Sequence, residues 1–283
     1  MGHNHGVVPD VAKEAVREFL GRLDRALPGR IEGFYIVGSA SLGAFRAGRS
    51  DIDFVAVVDR PLEPAELRAL QRAARRSWTM AVCRDGVLCH QWPLVCNGIY
   101  VTGEDLTRSS LRVSPIAAHV AGQFSTHAGF DANPVTWQVL RRHGIVVRGP
   151  HPTSLSVYVD DRELRAWTRE NLNDYWQRWI ETVSRRAWPP INPAFRRGAA
   201  WGVLGASRLH YTVATGEVIS KEAAGRYALE RFGTRWRAVI EEALAYWSRS
   251  PGGPTLTPRR RHQDTLRLVA TVIADVNGKP RPP

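Results

Sequence analysis

The most constraining feature of the sequence is a change of pattern near residue 150. Before it, short apolar runs typical of strands, such as 34–37 and 51–58, alternate with amphipathic segments typical of helices. Beyond residue 160 these runs stop, and every long segment carries helical periodicity. We therefore predict an α/β (α+β) domain over residues 1–157 and an all-α helical-bundle domain over residues 158–283.

Proline, glycine and changes of periodicity mark where the individual elements begin and end. The first domain is predicted to contain helices from residue 10 to the Pro28-Gly29 break, over 63–77 and over 136–143, and strands over 34–37, 51–58, 80–83, 94–101 and 145–147. The second is predicted to contain helices over 160–187, 193–214, 220–232, 236–248 and 258–276.

The chain is strongly basic, with 39 Lys and Arg against 27 Asp and Glu, a formal net charge of +12. Such a surface attracts polyanions, including nucleotide phosphates and nucleic acids. The basic residues are spread along the chain, however, so a dedicated nucleic-acid surface is not favoured. No segment reaches the roughly 18 apolar residues that a membrane span requires. We expect a cytoplasmic monomer that does not bind membranes.

Two short motifs in the first domain point to chemistry on a phosphate group. Gly38 and Ser39 follow a predicted strand where a helix begins, and such a turn lets backbone amides approach a phosphate. Twelve residues after Ser39, Asp51 and Asp53 flank Ile52 in the next strand. Because strand side chains alternate, both carboxylates lie on one face. They form a site suited to one or two Mg²⁺ ions.

This order of motifs resembles the nucleotidyltransferase superfamily typified by polymerase β. The helical half is similar to the streptomycin/spectinomycin (aminoglycoside) adenylyltransferases, through segments 207–224 and 241–246. The resemblance implies ATP as co-substrate and Mg²⁺ held by Asp51 and Asp53. It also implies nucleotide-binding residues in both domains: Gly38, Ser39 and Ser50 for the phosphates, Arg208 and Lys221 reaching the phosphates from the helical half, and Tyr246 beside the adenine.

The family has a further carboxylate, a strand glutamate that takes the proton from the attacking hydroxyl, and here Asn97 occupies its place. Asparagine can bind or orient a group, but it cannot act as a base. Three interpretations follow. Asp85, His90 or Glu104 takes over the role, the acceptor needs little help from a base, or the protein binds nucleotide without efficient transfer.

The acceptor side also departs from the family. Residues 184–198 contain four arginines and no acidic residue, where the family places carboxylates that bind a cationic drug. Like charges repel, so a cationic aminoglycoside is disfavoured. The resemblance implies a Mg²⁺-dependent transferase that moves AMP from ATP to a hydroxyl of a small molecule. The alternatives are a nucleotide-binding homologue with weak or no activity, and a transferase acting on RNA or protein.

Overall fold

The computed structural model describes residues 9–88, 93–185, 193–250 and 254–280. The chain divides into two compact units, Met1–Asp160 and Asp161–Pro283. The predicted boundary lies three residues earlier. The first unit contains strands and helices and the second is helical, so the predicted fold class is confirmed.

The described residues of the first unit form a sheet covered by helices. Its helices are α1 (Asp10–Ala26), α2 (Gly38–Ser41), α3 (Pro64–Ala81), α4 (Gly103–Leu106) and α5 (Pro134–His143). Its strands are β1 (Ile31–Val37), β2 (Ile52–Val58), β3 (Cys96–Thr102), β4 (Ala117–Val120), β5 (Gln123–Thr126) and β6 (Ile145–Arg148). The strand order is β5-β4-β3-β2-β1-β6.

Strands β2 and β3 pair in parallel, whereas the other pairs are antiparallel. On one face of β2 the alternate residues Ile52, Phe54, Ala56 and Val58 enter the main apolar core. The rings of Phe34 and Phe54 stack there with their centroids 4.7 Å apart. Asp53 lies on the opposite face because side chains alternate along a strand.

The strand predicted over residues 80–83 is wrong, because helix α3 extends to Ala81 and a π-helical segment follows over Val82–Leu88. The buried residues Leu70, Ala74 and Ala81 continue a helical period into this apolar run. A short apolar run cannot by itself distinguish a strand from a helix end. Strand β2 also begins at Ile52, so Asp51 directly precedes it rather than lying within it.

Strands β4 and β5 were not predicted. They form a hairpin whose two-residue turn, Ala121-Gly122, has positive φ at both positions. This backbone matches a type I′ turn, which suits the twist of paired strands. A Cβ on Gly122 would lie 2.7 Å from the ring of Trp78, so the turn packs closely on that side chain.

The second unit is a bundle of helices in its described residues. They are α6 (Asp161–Asn171), α7 (Gln177–Ser184), α8 (Pro193–Thr215), α9 (Lys221–Phe232), α10 (Arg237–Ser248) and α11 (Pro258–Val276), with a π-helical segment, Leu172–Trp176, joining α6 and α7. The rings of Trp176 and Trp201 stack at 4.4 Å. Glycines in α8 admit the tryptophan rings: a Cβ on Gly205 would lie 2.8 Å from Trp176.

Among the helices described, none has the length and apolar character needed to cross a membrane.

Candidate active site

Gly38 and Asp53 are in direct contact where strand β1 ends and strand β2 begins. Val37 pairs with Asp53 in the antiparallel register, and Gly38 follows with a φ of +66°. A Cβ on residue 38 would lie 2.0 Å from Oδ2 of Asp53, so only glycine fits without displacing the carboxylate. The two motifs predicted from the sequence therefore meet in one place.

Asp51 and Asp53 are both half-buried and are separated by Ile52, which is fully buried. The backbone N–H of Ile52 donates to the carbonyl oxygen of Val95 at 2.9 Å, which fixes the entry to the strand. This hydrogen bond holds the backbone between Asp51 and Asp53 in place, and both side chains remain partly accessible.

Asn97 lies on β3, directly opposite Asp53 in the parallel register. Its side chain is buried, and its Nδ2 donates to Oδ2 of Asp51 at 2.7 Å. Its Oδ1 accepts from the backbone N–H of Ala121 at 3.0 Å. Both ends of the amide are thus engaged. Asn97 holds Asp51 and the β4–β5 turn together, and it has neither the chemistry nor the freedom of a base.

Ser50 is buried, and its Oγ accepts from the backbone N–H of Arg46 at 3.1 Å. This contact closes the loop that leads into β2. Ser39 is half-buried next to Gly38, and its carbonyl oxygen accepts from the N–H of Ala44 at 2.9 Å. Ser39 is therefore the more accessible of the two hydroxyls predicted to contact phosphate.

The candidate replacements for the missing glutamate are engaged elsewhere or lie outside the described residues. The carboxylate of Asp85 accepts from Nε of Arg84 at 2.7 Å and from the N–H of Leu94 at 2.8 Å, and these bonds lower its pKa. Glu104 is exposed and forms an ion pair with Arg108. His90 lies outside the described residues.

Sequence reasoning missed one acidic residue of this region, Asp131, in the loop between β5 and α5. Burial, with a smaller contribution from the charge of Asp51, raises its pKa to about 6. The loop that carries Asp131 passes over the β3 face of Asn97, since a Cβ on Gly129 would lie 3.3 Å from Cγ2 of Ile99. No spacing in the sequence indicated this, because an irregular loop brings Asp131 to the site.

The remaining predicted residues lie in the second unit. Arg208 is on α8, Lys221 is the first residue of α9, and Tyr246 is near the end of α10; all three are half-buried. Nζ of Lys221 lies 4.1 Å from the centroid of the Trp247 ring. The start of α9 therefore lies beside the end of α10, which brings Lys221 close to the residue that follows Tyr246.

Two comparisons with known proteins found a match. Residues 166–262 match the family described as aminoglycoside adenylyltransferase, C-terminal domain. The chain is also similar in fold to the crystal structure of spectinomycin adenyltransferase AAD(9) from Enterococcus faecialis with ATP and spectinomycin, with a TM-score of 0.65 and 14% identity over 91% of this chain and 97% of that one. The family match covers about a third of the chain, within the second unit, and the structural likeness shows that the fold is shared. No curated protein matches the chain in sequence.

Proposed function

We propose that this adenylyltransferase-like protein transfers AMP from ATP to a hydroxyl of a small molecule, with Mg²⁺ held by Asp51 and Asp53. The observation that carries the proposal is the contact of Asp53 with Gly38 beside the Asp51–Asn97 hydrogen bond. Two half-buried carboxylates thereby lie beside the backbone turn at which α2 begins.

The donor set fits Mg²⁺. No group of three or more His, Cys, Asp or Glu side chains in the described part of the chain is placed to hold a metal. Mg²⁺ is often bound by one or two carboxylates together with substrate phosphates and water, which is what Asp51 and Asp53 can offer. When bound, the ion would neutralise charge that develops on the phosphates during transfer.

The chain's own residues have distinct tasks in this mechanism. Gly38 makes room for the Asp53 carboxylate at the turn where the phosphates are proposed to bind, Ser39 donates a hydrogen bond to them, and Asn97 keeps Asp51 oriented through its Nδ2. Arg208 and Lys221 supply positive charge for the phosphates, and Tyr246 lies beside the adenine. All three fall within the segment that matches the adenylyltransferase family.

The acceptor is proposed to be a neutral or anionic small molecule. AAD(9) was crystallised with spectinomycin, but this chain has a net charge of +12 and an arginine-rich segment over 184–198. Both features repel a cationic drug. The decisive experiment incubates the protein with labelled ATP and Mg²⁺, with neutral and anionic hydroxyl compounds, spectinomycin, streptomycin, RNA or protein as separate acceptors; label on a cationic drug alone would contradict the acceptor assignment. Labelled AMP on a small molecule supports the proposal, and label on RNA or protein alone contradicts it.

A second candidate is a nucleotide-binding protein with little turnover. The observation that favours it is Asn97, whose amide is engaged at both ends. Tight binding of Mg²⁺-ATP without AMP formation under any of these conditions would support this candidate and contradict transfer.

Lys221→Ala is expected to weaken ATP binding by roughly 10- to 100-fold, because a charge-assisted contact is worth about 1.5–3 kcal/mol. The loss for AMP should be smaller, since the lysine is assigned to the phosphate tail. Isothermal titration calorimetry with each nucleotide measures both losses. Lys279→Ala is a matched control, because Lys279 is exposed near the end of the sequence, 58 residues after Lys221. Equal losses for ATP and AMP would place Lys221 elsewhere.

A further inference from the structure

Asp131 is a half-buried carboxylate in the loop between Thr126 and Pro134. Among the residues that the structure describes, its side chain makes no hydrogen bond and no ion pair. Partly buried carboxylates are normally paired or hydrogen-bonded, because burial penalises their charge. Contacts of the Asp131 carboxylate with its surroundings therefore do not explain why it is partly buried.

The start of this loop lies on the sheet face that carries Asn97. A Cβ on Gly129 would lie 2.8 Å from Cβ of Ala118 and 3.3 Å from Cγ2 of Ile99. Ile99 is two residues beyond Asn97 on β3, so the two side chains are on the same face. The loop thus passes over the face on which Asn97 binds Asp51.

The end of the loop is fixed at helix α5. Oδ1 of Asn133 accepts from the N–H of Thr136 at 3.0 Å and caps the helix, while its Nδ2 donates to the carbonyl oxygen of Phe130 at 2.8 Å. Helix α5 packs against β1 and against α2, which begins at Gly38. The loop that carries Asp131 therefore runs from the sheet face of Asn97 to the helix that packs against α2, and both of its ends are fixed.

The electrostatics agree with this placement. Burial and, to a smaller extent, the charge of Asp51 hold the pKa of Asp131 above the ordinary range of an aspartate.

We propose that the carboxylate of Asp131 is the general base of the transfer, in the role that Asn97 cannot perform. This inference rests on the proposed function. Asp131 accepts the proton of the acceptor hydroxyl while that oxygen forms its bond to the α-phosphorus. The bond from the α-phosphorus to the oxygen that bridges it to the β-phosphorus breaks, and pyrophosphate leaves with the electron pair. The proton then passes from Asp131 to solvent.

The test compares wild type, Asp131→Asn, Asn97→Glu/Asp131→Asn and the control Asp59→Asn. Asp59 follows the far end of β2, where it pairs with Arg30. AMP formation from Mg²⁺-ATP is measured with water and with each small-molecule acceptor that the wild type uses in the experiment above, and ATP affinity is measured by calorimetry. General-base catalysis contributes roughly 10²–10⁴-fold, so Asp131→Asn should lower kcat by about 100-fold or more without weakening ATP binding.

The double variant distinguishes a role of Asp131 as general base from a purely structural role. The substitution Asn97→Glu returns a carboxylate to the family's position, so Asn97→Glu/Asp131→Asn should recover at least about tenfold of the lost kcat. A melting temperature of Asp131→Asn that equals or exceeds the wild-type value shows that the fold is intact, because the substitution removes a partly buried charge. Loss of kcat with an intact fold, and recovery in the double variant, support the assignment.

Three results would overturn it. Equal kcat for wild type and Asp131→Asn, in an active enzyme, refutes the base and leaves the proposed function standing. Loss that Asn97→Glu does not reverse assigns Asp131 to structure or metal binding. A wild type that binds Mg²⁺-ATP but forms no AMP refutes both this inference and the transfer itself.

Discussion

Asp53→Asn is expected to lower Mg²⁺-dependent AMP formation by about 1000-fold or more. A metal ion contributes several kcal/mol to the stabilisation of charge at phosphorus, and about 4 kcal/mol corresponds to a factor of 1000. Asparagine has the shape of aspartate, so it fits beside Gly38 where Oδ2 of Asp53 now lies. The loss therefore reports the charge rather than the packing, because a neutral amide is a poor ligand for Mg²⁺.

Thermal denaturation with ATP, with and without Mg²⁺, gives an independent measurement. Wild type should be stabilised more by Mg²⁺-ATP than by ATP alone, and Asp53→Asn and Asp51→Asn should each lose that difference. Asp59→Asn, the same substitution at the other end of β2, should keep it. If both site variants retained the wild-type Mg²⁺ effect, the metal would have to be assigned to other residues.

Arg261→Met is expected to lower the free energy of unfolding of the second unit by about 3–5 kcal/mol. Arg261 and Glu242 are both buried, at 6% and 4% exposure. Nε and Nη2 of the arginine donate to Oε2 and Oε1 of the glutamate at 2.9 and 2.7 Å. Arg196 approaches the same glutamate at 3.4 Å. Removing Arg261 leaves a buried carboxylate with this longer contact and the N–H of Leu256, which donates to Oε1 at 3.2 Å.

The double variant Glu242→Met/Arg261→Met is the control for this prediction. Two apolar side chains of similar length can replace a buried ion pair at little cost, so the double variant should be more stable than Arg261→Met. Urea denaturation followed by circular dichroism measures all three proteins. A single variant as stable as wild type would mean that the ion pair contributes nothing to this unit.

Local signals explain why the helices of the second unit were predictable. Helix α11 has the predicted bounds because Pro258 occupies its first turn and Thr257 caps it, with Oγ1 accepting from the N–H of Arg260 at 3.3 Å. Such caps depend only on a few adjacent residues, so they can be recognised from the sequence. The long helix predicted over 160–187 is instead two helices joined by a π-helical segment, which leaves the periodicity of the sequence almost unchanged.

Elements that depend on distant partners were harder to predict. The β4–β5 hairpin consists of two strands of only four residues, and its turn places Ala121 at a φ of 50° where glycine would be the usual signal. The N–H of Ala121 is bonded to Asn97, which is 24 residues earlier. Tertiary contacts therefore support a turn that local propensity does not favour.

The residues of the candidate site likewise differ in how far they could be predicted from the sequence. Gly38 directly follows β1, Asp51 directly precedes β2 and Asp53 lies on β2, and since these two strands are close in sequence and pair directly, the proximity of the three residues follows from the motif order. Asn97 was placed by resemblance. Asp131 reaches the site through the packing of α5 and an irregular loop, and neither has a periodic signature. Its contribution became visible only through the contacts of Gly129 and Asn133.

Because β2 and β3 pair in parallel, the site depends on the register of β3 against β2. Asp85 binds the N–H of Leu94, and the carbonyl of Val95 accepts from Ile52, so two bonds just before β3 set its phase. A slip of one residue would turn every side chain of β3 to the other face. Asn97 would then point into the aromatic core, and Cys96 or Gly98 would stand opposite Asp53. Insertions or deletions of a single residue in this approach would thus abolish function without touching any residue that contacts the nucleotide.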